Sequence, residues 1–271
     1  MVTFPNAKIN IGLQVLNRRE DGYHNLETVF YPIRLNDVLE MVEADETRFF
    51  PSGLAIPDDG RDNLCLRACR LLQQEYDLPP VHIYLHKVIP IGAGLGGGSA
   101  DAAFLLKLAN AKFALGLDET RLTEYARRLG ADCAFFIRNA PVYATGVGDI
   151  FQEVELDLSS YHIVVVKPDV HVPTAEAYGM VKPDPAGRQL AMAIKAPVET
   201  WRDTIVNDFE AGIFAKYPEI AAVKALLYDS GAVFAAMSGS GSSVYGLFQK
   251  RVELRGVNPA HTVFVIDPSN L

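Results

Sequence analysis

Five glycines fall within seven positions of one stretch, Pro90-Ile91-Gly92-Ala93-Gly94-Leu95-Gly96-Gly97-Gly98-Ser99-Ala100. The apolar, strand-like residues 81–89 lead into it, and a strongly helical run from Ala100 to about Leu115 follows. Glycine lets a backbone take positive φ and come close to a ligand. The first N–H groups of a helix lack internal partners, and the helix dipole favours negative charge there. A strand, a glycine loop and a helix start in that order predict a cradle for phosphates. The competing reading, a surface turn, seldom needs so many glycines against a helix start.

The rest of the chain limits what can hold such an anion. Its 271 residues suffice for one large domain or two moderate ones, and 49% of them are apolar. The net charge is -8 and no long Lys/Arg run occurs. That argues against a nucleic-acid or anionic-membrane surface, so a bound anion must be held locally. The three cysteines, Cys65, Cys69 and Cys133, form no Cys-x-x-Cys pair. Buried free thiols and a reducing cytoplasm are expected. The first residues lack a signal peptide's basic start and apolar run, and no apolar stretch reaches membrane-spanning length.

Periodicity predicts a strand over 7–17, where Ile9, Ile11, Leu13 and Val15 alternate with Lys8, Asn10, Gly12 and Gln14. Lys8 and Asn10 share its polar face and could address one ligand. A polar turn over 17–22 precedes an extended run, 23–33, and a strand over 37–44. Residues 45–62 read as loop, broken by Pro51, Gly53, Pro57, Asp58, Asp59 and Gly60. Helices are expected over 63–76, from an N-cap at Ser99 to 115, and over 119–129 between Asp118 and a C′ glycine, Gly130. Strands are expected within 141–154 and over 160–167, with a helix starting at Thr174. Helices over 207–214 and 218–230 come next, then strands over 232–237, 243–249 and 262–266. A second glycine-serine loop, Ser238-Gly239-Ser240-Gly241-Ser242, lies between two of those strands. Separate strand runs and helix pairs indicate an α+β fold, not a regular βαβ array.

The loop formally satisfies G-x-G-x-x-G, but Asp118, about twenty residues on, begins a helix and follows no strand. Pro90 also separates the preceding strand from the glycines. A Walker A loop would end in Gly-Lys-Ser/Thr, whereas Gly98 is followed directly by Ser99. The His-Arg-Asp signature of protein kinases is absent.

The stretch 90–100 does resemble the phosphate loop of the GHMP kinases, the group of galactokinase, homoserine kinase and mevalonate kinase. Three more segments, Ala7-Lys8-Ile9-Asn10-Ile11, Asp21-Gly22-Tyr23-His24-Asn25-Leu26 and Gly130-Ala131-Asp132-Cys133-Ala134-Phe135-Phe136, are similar in pattern and order to the 4-diphosphocytidyl-2-C-methyl-D-erythritol kinase family. The loop 238–242 resembles the superfamily's third motif. The resemblance covers most of the chain up to about residue 250. It implies a two-domain α+β fold, 1–152 binding ATP and 153–271 on the substrate side, with the active site in the cleft between them.

The same resemblance implies a γ-phosphoryl transfer from ATP, with Mg²⁺, to a cytidyl diphospho-methylerythritol substrate in a monomer or homodimer. Lys8 and Asp132 match the catalytic pair. Pro90, Ile91, Gly92, Ala93, Gly94, Leu95, Gly96, Gly97, Gly98, Ser99 and Ala100 match the ATP phosphate loop, with Ser99 a contact to Mg²⁺ or phosphate. Lys87 and Asn63 match nucleotide-side positions. Asn10, Tyr23, His24, Phe30, Thr174 and Tyr178 match substrate-side positions, with Tyr23 and Tyr178 expected to sandwich the base. Taken alone, Lys8 reads as a solvated strand residue, Asp132 as a helix cap and Phe30 as core. Another GHMP small-molecule kinase, of homoserine or mevalonate type, and a non-catalytic nucleotide-binding module remain as alternatives.

Overall fold

The computed structural model describes residues 1–57, 63–187 and 189–268. The chain begins with five strands: β1 (Val2–Thr3), β2 (Asn6–Arg18), β3 (His24–Asn36), β4 (Val38–Glu43) and β5 (Arg48–Gly53). Next come α1 (Leu64–Gln73), β6 (Val81–Lys87), α2 (Gly97–Lys112), α3 (Glu119–Leu129) and α4 (Phe135–Arg138). Three strands follow, β7 (Val142–Thr145), β8 (Ile150–Glu153) and β9 (His162–Lys167). Five helices come after them: α5 (Thr174–Met180), α6 (Leu190–Ala193), α7 (Trp201–Thr204), α8 (Phe209–Lys216) and α9 (Pro218–Asp229). β10 (Phe234–Met237), β11 (Val244–Phe248) and β12 (Thr262–Ile266) complete the described chain.

Contacts group these elements into two discontinuous units. One comprises Met1–Ala7, Leu35–Ile91 and Gly96–Ala140; the other comprises Lys8–Arg34, Gly92–Leu95 and the chain from Pro141 onward. A single cut at 152/153 therefore does not follow the contacts. The reason is strand pairing: β3 pairs antiparallel with β7, Val29 opposite Tyr143, which carries an early segment into the later unit.

The first unit is built on a sheet of order β1-β4-β6-β5. Leu39 and Met41 of β4 lie opposite Leu85 and Ile83 of β6, and all four are buried. α2 packs on β4, and α1 and α3 pack on α2. Each fully buried leucine there contributes about 1.5–3 kcal/mol of transfer free energy. β5 lies where loop was expected. Among the described residues it pairs with β6 alone, in parallel, so Pro51 sits on an edge strand, where a missing N–H is tolerated. Asp58, Asp59 and Gly60, also expected as loop breakers, lie outside the described residues.

The second unit holds two sheets, β2-β3-β7-β8 and β10-β11-β9-β12. Val164 and Val166 of β9, Phe209 and Ile213 of α8, and Val223 and Leu227 of α9 share one buried cluster. β2 departs from its expected polar face, because residues 6–15 are buried on both sides. Lys8 and Asn10 therefore lie inside the unit, where polar groups need partners.

Candidate active site

The phosphate loop takes positive φ at Gly92 (61°), Gly94 (80°) and Gly96 (71°). Gly96 is the N-cap of α2, and no side chain caps that helix. The expected cap, Ser99, instead stands in the helix's first turn, because the left-handed turn at Gly96 starts the helix three residues earlier. The leading amides of a 16-residue helix are thus left without a side-chain acceptor at the end of a glycine loop. That is the arrangement a phosphate oxygen satisfies.

In the second unit, Lys8 is only 3% exposed. Its ammonium donates to Asn10 Oδ1 and to the Gly94 carbonyl (3.0 Å), and lies 5.1 Å from the centroid of the Phe30 ring. Asn10 is bound on several sides. Its Nδ2 donates to Thr28 Oγ1 (2.9 Å), its N–H to Ser238 Oγ (3.1 Å), and its carbonyl accepts from the Tyr245 hydroxyl (2.9 Å). Ser238 Oγ in turn donates to the Gly94 carbonyl at 2.8 Å. Asn10 and Phe30, expected on the substrate side, thus surround Lys8 and lie outside the lining of the cleft described next.

A cleft of about 880 Å³ in the same unit brings together four of the expected substrate residues, Tyr23, His24, Thr174 and Tyr178, beside Arg18 and Val147. The turn before it is self-organised. Asp21 accepts from the Tyr23 N–H (3.0 Å) and pairs with Arg19 (2.9 Å), which holds the Asp21 carboxyl below its usual range. This leaves the Tyr23 ring 65% exposed, ready for an aromatic partner. The expected sandwich differs in one respect. Tyr178 stacks on His24, with centroids 4.8 Å apart and planes at 19°, and meets Phe209 edge-on. Burial, and then the Arg18 charge, lower the His24 pKa, so the ring is neutral at pH 7 with one donor and one acceptor nitrogen.

In the first unit, Asp132 lies in the 3₁₀ turn Ala131–Cys133 that follows α3. It caps no helix: Gly130 and Ala134 occupy the cap positions on either side. Its neighbours Cys133, Phe135 and Phe136 are buried and anchor the turn, while Asp132 itself is half-buried. Burial pushes the Cys133 thiol up to about 11, so it is protonated at neutral pH and not a nucleophile. Gly130 ends α3 in extended backbone (φ 174°), not in a left-handed cap.

The two expected nucleotide-side residues have internal partners. Asn63 caps α1, its Oδ1 accepting from the Cys65 N–H at 2.8 Å. Lys87 is 2% exposed and pairs with Asp37 and, at 2.8 Å, with Asp101. Burial raises the Asp101 pKa against the pull of Lys87. Asp37, Thr28 and Asn207 were not foreseen. Asn207 Nδ2 donates to the Met237 and Gly239 carbonyls, both at 2.8 Å, and so shapes the loop 238–242. The one sequence signal for each was a polar residue beside an apolar run.

Among the described residues no group of three or more His, Cys, Asp or Glu is placed to hold a metal ion, and no helix is long and apolar enough to cross a membrane.

The model of the GHMP kinases N terminal domain matches residues 63–140, and that of the GHMP kinases C terminal domain matches 194–257. A 4-diphosphocytidyl-2-C-methyl-D-erythritol kinase of Bacteroides fragilis is 54% identical over 252 residues, 92% of each chain. One of Cytophaga hutchinsonii is 48% identical over 269 residues, covering 99% of this chain and all of its own. A crystal structure of 4-(cytidine 5'-diphospho)-2C-methyl-D-erythritol kinase superposes with a TM-score of 0.77 at 35% identity, over 91% of this chain and 90% of that one. A mevalonate kinase structure, at 12% identity and a TM-score of 0.69, shares the fold. With such identity along nearly the whole chain, the chain belongs to the 4-diphosphocytidyl-2-C-methyl-D-erythritol kinase family of the GHMP kinases.

Proposed function

We propose that this chain transfers the γ-phosphoryl group of ATP to the 2-hydroxyl of 4-diphosphocytidyl-2-C-methyl-D-erythritol, a step of the non-mevalonate route to isoprenoid precursors. The observation that carries the acceptor is the cleft lined by Tyr23, His24, Thr174 and Tyr178. Cytosine would stack on the exposed Tyr23 ring. Neutral His24, held in plane by Tyr178, would offer one donor and one acceptor to the edge of the base.

The uncapped start of α2 and the glycine loop would hold the ATP phosphates through backbone N–H groups. Asp132 would accept the proton of the attacking hydroxyl. A carboxylate is a weak base for an alcohol, which phosphoryl transfer tolerates: the transition state is loose, the proton leaves late, and position matters most. Lys8, held by Asn10 and the Gly94 carbonyl, would place a fixed positive charge for the transferring group.

Mg²⁺ would enter with the nucleotide phosphates; the acid nearest Ser99 in sequence, Asp101, binds Lys87 through Oδ2. Ser99 would be the protein contact. When bound, the ion offsets phosphate charge.

ADP release measured with this acceptor, and with homoserine and mevalonate as controls, tests the reading. Turnover only with a control would overturn it. A Tyr23→Ala variant is expected to raise KM for the acceptor about tenfold, the loss of one aromatic stack of about 1.4 kcal/mol, with KM for ATP unchanged. An effect confined to ATP would contradict the assignment.

A further inference from the structure

Lys87, Asp37 and Asp101 form a buried cluster in the first unit, and its members sit at both roots of the phosphate loop. Lys87 is the last residue of β6, and Val88 and Ile89 lead directly into Pro90. Both of their N–H groups donate to Asp37 Oδ1, at 2.6 and 2.8 Å. The other Asp37 oxygen accepts from Lys87, whose ammonium also reaches Asp101 Oδ2 at 2.8 Å. Asp101 is the fifth residue of α2, the helix that leaves the loop. Asp37 is itself fixed to the start of the chain, its N–H donating to the Pro5 carbonyl at 2.8 Å. All three side chains are at most 3% exposed.

The cluster is also close-packed against the loop's exit. A Cβ at Gly97 would fall 2.8 Å from Lys87 Nζ and 2.8 Å from Ile89 Cγ2. The first residue of α2 can therefore lie over the Lys87–Ile89 segment only as glycine. Burying three charges is costly and rarely stabilises a fold more than apolar packing would. What such a cluster supplies is directional bonds between segments far apart in sequence, here residues 37, 87–89 and 101.

We infer that Asp37, Lys87 and Asp101 are positioning residues that hold the entry and exit of the phosphate loop at the separation its nucleotide requires. Lys87 acts through the backbone it fixes and does not itself reach the nucleotide. This inference rests on the assignment of the loop to ATP, but not on the identity of the acceptor.

The test is ATP affinity without acceptor. Asp101→Ala leaves Lys87 paired with Asp37, so the fold is retained. Its Kd for ATP should rise about tenfold, as expected for small displacement of a binding frame. At saturating ATP, kcat should stay within about threefold, because Lys8 and Asp132 are untouched. Asp101→Asn, which can still accept from Lys87, should restore most of the affinity. Hydrogen exchange supplies a second readout: amides of 88–100 should lose protection in Asp101→Ala while those of β9 and β11 do not. Unchanged ATP affinity together with unchanged exchange in 88–100 would overturn the clamp. So would failure of Asp101→Asn to rescue. If the parent protein binds no ATP at all, the loop assignment itself fails, a result distinct from either. Should Asp101→Ala not fold, Asp37→Asn, which retains shape and one acceptor, is read by the same two measurements.

Discussion

Replacing Asp132 by alanine is expected to lower kcat about 10³-fold, within the range for loss of a positioned general base. That corresponds to about 4 kcal/mol of transition-state stabilisation. The fold should survive, because the turn is anchored by its buried neighbours Cys133, Phe135 and Phe136 and Asp132 caps neither flanking helix. ATP should bind with unchanged affinity, since the loop and the start of α2 are untouched. Asp132→Asn is the sharper variant. It keeps the size and most hydrogen bonds of the side chain but cannot take a proton at neutral pH. It should lose nearly as much rate as alanine. Steady-state release of ADP gives kcat, and a titration of ATP without acceptor gives Kd. Near-normal turnover in Asp132→Asn would remove the base assignment and leave the residue a positioning role.

Local chemistry made much of this fold legible. Asp118 caps α3 as its type and place suggest, accepting from the Arg121 N–H at 2.8 Å. β12 spans the expected residues. The Asp-Gly-Tyr-His turn displays its tyrosine because Asp21 bonds the backbone two residues on, which needs no tertiary contact. The features that escaped are all tertiary. Lys8 alternates with apolar residues, which predicts a wet face, yet both faces of β2 are covered. The carbonyl of Gly94, the side chain of Asn10 and the face of the Phe30 ring help make its burial tolerable, and none of the three is adjacent in sequence to another. Lys87 shows the same limit. The resemblance matches it to a nucleotide-side position, but Asp37, fifty residues earlier, and Asp101 take its charge. The loop-rich reading of 45–62 weighed Pro51 and Gly53 as breakers, and pairing with β6 overrode them at a sheet edge.

Gly94→Ala is expected to be the most damaging single-methyl change in the loop. Gly94 has φ +80°, and an added Cβ would lie 1.9 Å from the Ser238 carbonyl oxygen and 2.8 Å from its carbon. Both neighbours are backbone, so no side chain can swing away. The loop 238–242 cannot yield cheaply either, because Asn207 holds the Met237 and Gly239 carbonyls and Ser238 N–H bonds the Ser243 carbonyl at 2.9 Å. Overpacking and the left-handed backbone together should cost about 2–4 kcal/mol. That is a fall in Tm of roughly 5–15 °C for a chain of this size. Relief of the clash would shift the Gly94 backbone, whose own carbonyl accepts from Lys8 and from the Ser238 hydroxyl. Lys8 would lose an anchor, and kcat should fall about a hundredfold in whatever fraction remains folded. Gly98→Ala separates this from a general need for glycine. Gly98 is helical and exposed, and the nearest atom to an added Cβ is Leu64 Cδ1 at 3.8 Å. Alanine is the better helix former, so Tm should hold or rise slightly. If the surface of Gly98 faces the nucleotide, KM for ATP alone should increase. Equal losses of Tm in the two variants would show that the loop's glycines serve only its flexibility; a large loss confined to Gly94 would show that the contact between the two glycine loops is what places Lys8.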